Sequence, residues 1–75
     1  MTAHHYISGF AAACRGDPIG HADDYAHDEV LPPPNDATPA QEMHARRTLA
    51  STAALWRLGW HSGRASGIVL VRYTA

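Results

Sequence analysis

Six histidines in a chain of 75 residues are the first candidates for chemistry. His21 and His27 sit among Asp23, Asp24, Asp28 and Glu29, a mixture of nitrogen and oxygen donors that a metal could use. Their spacing argues otherwise. Positions 21 and 27 do not share a helical face, and they match no compact zinc motif. His4 and His5 are adjacent, so on a helix they leave the axis in different directions. No metal site and no cofactor are expected. Nucleophilic chemistry finds no better support. Cys14 has no histidine near it in sequence, and Ser8, Ser51, Ser62 and Ser66 lie in no recognisable nucleophile context. Gly59, Gly63 and Gly67 are spaced by four and lack the lysine of a phosphate-binding loop. The chain reads as non-enzymatic.

Binding is the stronger theme, and charge organises it. Residues 1–37 hold Arg15 against Asp17, Asp23, Asp24, Asp28, Glu29 and Asp36. Residues 38–75 hold Arg46, Arg47, Arg57, Arg64 and Arg72 against Glu42 alone. The net charge of −1 therefore conceals an acidic half and a basic half. All six basic residues are arginine, each able to make planar, bidentate contacts to phosphate or carboxylate. On a continuous helix Arg46, Arg57 and Arg64 fall on nearly one line, because separations of eleven and seven complete about three and two turns. His61 lies one turn from Arg57. This line is a candidate RNA-binding face, with phosphate as the ligand; the alternative is an ordinary solvated face partly neutralised by the acidic half. Asp23, Asp24, Asp28 and Glu29 form a candidate protein-binding face for a basic groove.

Two helices must carry these groups. The first spans about 2–15, with Thr2 as its cap and Tyr6, Phe10, Ala13 and Cys14 at helical spacing. Gly16-Asp17-Pro18 stops it. An acidic, proline-rich linker covers 16–37, with loop signals in Gly20 and in Leu31-Pro-Pro-Pro34. A short helical turn around Ala22–Val30 is compatible with it, anchored by Tyr25 and Val30. The second helix spans about 38–62 and has the best start signal: an N-cap Thr38, Pro39 at the first position and Gln41 three after the cap. Its apolar stripe includes Leu49, Ala53, Trp56, Gly59, Trp60 and Gly63. An extended tail follows over 66–75, where Ile68-Val-Leu-Val-Arg-Tyr73 favours a strand, with continuation as helix the alternative. That strand lies on the hairpin, pairs with a target or pairs with a second copy in a homodimer. The fold class is mainly α: a two-helix hairpin with a long acidic, proline-rich linker, as one small domain over 1–75, with a C-terminal extended strand as an open option. Its core residues are Tyr6, Gly9, Phe10, Leu49, Trp56, Gly59 and Trp60. Small residues beside large rings in both helices predict a close crossing of Gly9 and Ala13 against Gly59 and Gly63, with rings filling the flanks.

A chain this short makes only a small core. One cysteine excludes an intrachain disulfide, and Cys14 on an apolar face reads as a buried thiol. No apolar run approaches the roughly 20 residues of a membrane span. The N-terminus lacks a basic region followed by an apolar stretch, so no signal peptide is read and a cytoplasmic location is expected.

Two motifs carry a resemblance. Gly9-Phe10-Ala11-Ala12 with Gly16, and Trp56-Arg-Leu-Gly59-Trp60, resemble the ribosome modulation factor family, small bacterial and phage-borne proteins of two short helices and a linker. The resemblance covers about 25 residues and implies binding to ribosomal RNA and silencing of translation. The longer inter-helix segment, the absence of the family's Pro-Tyr element and the lack of lysine are departures from its pattern. A second reading follows from the acidic linker: a small phage-borne inhibitor that binds a host protein, with Asp23, Asp24, Asp28 and Glu29 imitating phosphate.

Overall fold

The computed structural model describes residues 3–69. Three helices follow in order: α1 (Ala3–Arg15), α2 (His21–Glu29) and α3 (Pro39–Ser66). The linker therefore contains a full helix rather than one turn. Thr2 and the stretch from Leu70 to Tyr73 lie outside the described residues. Ile68 and Val69 are neither helix nor strand, and no strand occurs among the described residues.

Helix ends are set by local chemistry. α1 closes on Gly16, whose φ of 84° suits glycine. The Gly16 amide donates to the Ala13 carbonyl at 3.0 Å and the Asp17 amide to the Ala12 carbonyl at 2.9 Å, a Schellman pair. α3 opens on the predicted capping box. The Gln41 amide donates to Thr38 Oγ1 at 3.2 Å, and the Thr38 amide donates to Gln41 Oε1 at 2.8 Å. The helix runs 28 residues, past the expected end near 62, because Gly59 and Gly63 are held by packing. It stops at Gly67 with φ 72°.

α1 and α3 form the main contact. A Cβ on Gly9 would collide with the Trp56 carbonyl oxygen, and a Cβ on Gly59 would collide with the Tyr6 carbonyl oxygen. The two segments, Tyr6-x-x-Gly9-Phe10 and Trp56-x-x-Gly59-Trp60, thus seat their glycines reciprocally on each other's backbone. One turn on, a Cβ on Gly63 would stand 2.5 Å from the Phe10 carbonyl oxygen and 3.0 Å from Ala13 Cβ. The predicted small-residue crossing is present.

Its direction is not that of a hairpin. Tyr6 meets Gly59 and Ser62, and Phe10 and Ala13 meet Gly63, so contacts advance together along both helices. α1 and α3 run in the same sense, with α2 as the return segment between them. That order follows from α2 being a helix: three short-linked helices alternate in direction, whereas two would be antiparallel.

The core is small: Ala12, Ala22, Ala26, Ala53 and Trp56, with Ile19, Tyr25, Leu49 and Trp60 packed on it. Cys14 is buried. Trp56 is 3% exposed and is the one large ring among the buried hydrophobics of the described residues. Tyr6 departs from expectation. At 37% exposed it is a surface ring bonded through its hydroxyl to Ser62 Oγ, and only its carbonyl takes part in the crossing. Phe10, Leu49 and Trp60 are half-buried, while Gly9 and Gly59 are buried.

Candidate functional site

α3 presents the arginines as a graded series rather than a uniform line. Arg46 and Arg47 are exposed near its N-terminal end. Arg57 is half-buried and faces α2, its Nη1 3.7 Å from Asp23 Oδ1. Arg64 is exposed, with its guanidinium carbon 5.7 Å from the Trp60 ring centroid. His61 meets the same indole edge-on at 5.4 Å. Trp60 is fixed in turn: its Nε1 donates to the Asp17 carbonyl at 2.7 Å, tying α3 to the α1–α2 turn. Trp60, His61 and Arg64 therefore form an aromatic–cation cluster on the last turns of α3. Arg46 stands roughly 27 Å away along the axis at 1.5 Å per residue, so one compact ligand cannot touch both ends.

The four acids of the alternative face are all exposed on α2 but act separately. Asp23 takes Arg57. Glu29 Oε2 lies 3.8 Å from His4 Nε2. Asp24 and Asp28 line a cleft of about 500 Å³ between α1 and α2, with Ile7, Ala11 and Tyr25 on its walls and Trp56 among its lining residues. Arg15 and Asp17, paired at 3.1 Å, line it as well. The cleft exists because α2 packs on α3 far more than on α1.

The histidines correct one expectation. His4 and His5 converge rather than diverge, with ring centroids 3.9 Å apart. His5 Nδ1 and the Tyr25 hydroxyl are hydrogen-bonded at 2.9 Å, and that hydroxyl also donates to Ser8 Oγ at 3.4 Å. Partial burial, followed by the neighbouring His4, holds the His5 imidazole below its ordinary pKa despite the opposing pull of Glu29. Sequence spacing does not reveal this network, because Tyr25 lies twenty residues from His5 on a helix that reads only as a turn. His27 is occupied locally, its Nδ1 2.8 Å from the Asp23 carbonyl oxygen. Cys14 is a free, buried thiol. No described helix is long and apolar enough to cross a membrane. No family model matches the chain, and comparison with curated proteins and with solved structures returns no significant match.

Proposed function

We propose that the protein is a non-enzymatic RNA-binding regulator that engages ribosomal RNA through α3 and thereby modulates translation. The observation that carries this reading is the Trp60–His61–Arg64 cluster. A half-exposed indole flanked by a guanidinium and an imidazole offers a base a stacking edge and a phosphate two donors. Arg46 extends the contact along the backbone of the RNA, and Arg57 joins it when Asp23 releases it. The resemblance of Trp56-Arg-Leu-Gly59-Trp60 to the ribosome modulation factor motif supports the same helix. Binding of purified ribosomes and of ribosomal RNA fragments, measured at low salt for the wild type and Arg64→Ala, tests the reading. The expected result is saturable binding weakened several-fold by the substitution. Absence of binding to either partner contradicts it.

The cleft gives a specific reason to retain the second reading. Asp24 and Asp28 line the cleft beside Ile7 and Ala11, a pairing of carboxylates with apolar wall that suits a lysine or arginine side chain with an aliphatic stem. A host protein presenting such a residue would be captured by α2 rather than α3. Asp24→Asn with Asp28→Asn would then abolish capture and leave RNA binding unchanged or slightly stronger.

A further inference from the structure

We propose that His4, His5 and Glu29 form a binding site for a divalent transition-metal ion of the zinc class. One ligand atom from each of the three lies within 4.8 Å of the others. A tetrahedral ion with ligands at 2.0–2.1 Å requires separations of about 3.4 Å. His4 Nε2 and Glu29 Oε2 already stand at 3.8 Å. The remaining closure needs only small rotations of surface side chains, since the His4 and Glu29 side chains are 60% and 42% exposed.

A further feature makes the cluster more than a chance meeting. His5 is oriented from behind: Tyr25 engages its Nδ1, which leaves Nε2 as the ring nitrogen for an ion. Metal-binding histidines are usually held in this way through their second nitrogen. The donor set is two imidazoles and one carboxylate, which favours zinc, nickel, copper or cobalt over magnesium or calcium. Three protein ligands leave a fourth position for water.

The ion joins the first turn of α1 to the last turn of α2. Those helices pack little on each other, so the site closes one end of the cleft and fastens the return helix. It stabilises the folded chain by mass action, because the unfolded chain brings no such triad together. This role is independent of RNA binding by α3.

Thermal melting of the untagged full chain, with and without zinc chloride and with magnesium chloride as the control, tests the site. Zinc is expected to raise Tm by several degrees, and magnesium to leave it unchanged. His4→Ala and Glu29→Gln, both at exposed positions and compatible with folding, should each remove most of the rise. His44→Ala and His61→Ala should retain it. Cobalt substitution provides a second readout, with the visible absorption of a tetrahedral centre expected in the wild type and absent from Glu29→Gln. No rise in Tm, or a rise that His4→Ala and Glu29→Gln leave intact, overturns the proposal, as does an equal loss in His61→Ala.

Discussion

At the scale of single residues, the glycines do more than the rings. Gly9 and Gly59 each face a backbone carbonyl of the opposite helix, and backbone cannot swing aside as a flexible side chain can. Gly9→Ala or Gly59→Ala must therefore push α1 and α3 apart along the whole crossing. Each is expected to cost about 3 kcal/mol, the upper end of ordinary overpacking, despite alanine's better helix propensity. Urea denaturation monitored by circular dichroism checks this, and unchanged midpoints would contradict the crossing. His5 adds a pH dependence. Its pKa is lowered on folding, so the unfolded chain binds the proton more readily. The associated stability is present above the unfolded value of about 6.5 and is lost as pH falls through it towards the lower folded value. Tm in metal-free buffer should fall over that window, and Tyr25→Phe, which removes the hydroxyl facing His5, should alter the slope. A Tm with the same pH profile in both proteins would show that the network contributes nothing.

At the scale of elements, what the sequence makes legible depends on how local the physics is. The start of α3 was readable because Thr38, Pro39 and Gln41 act within one turn. Thr38→Ala should cost about 1 kcal/mol, the usual worth of a cap, and should speed amide exchange at Gln41; unchanged exchange would place the start elsewhere. The end of α3 was less readable, since Gly59 and Gly63 weaken a helix in isolation and are kept in it by α1. From sequence, α2 reads only as a helical turn. It has no side-chain cap at Gly20 and buries only Ala22 and Ala26. Alanine at i and i+4 is a weak signal of an apolar face, and acids obscured it. The arginine line was legible as geometry, but the pairing of Arg57 with Asp23 was not, because it depends on where α2 lands. Likewise, the His4–His5–Glu29 cluster needs the return helix to exist.

At the scale of the whole molecule, the described chain is elongated, 48 × 27 × 21 Å, because α3 is about 42 Å long at 1.5 Å per residue and α1 and α2 cover only part of it. Acidic α2 lies beside basic α3 and competes, through Asp23, for one of the arginines that RNA would use. The charge asymmetry of the sequence is therefore a partial internal neutralisation, not simply two outward faces. In the proposed function α3 binds RNA phosphate while α2 opposes it. The direct test is the salt dependence of the affinity for a ribosomal RNA fragment, compared between the wild type, Arg64→Ala and Asp23→Asn. Log K should fall linearly with log salt; Arg64→Ala should lower the slope by about 0.7–0.9, equivalent to one phosphate contact. Asp23→Asn should tighten binding and steepen the slope by freeing Arg57. An affinity indifferent to salt, or unchanged slopes in both variants, would contradict the claim.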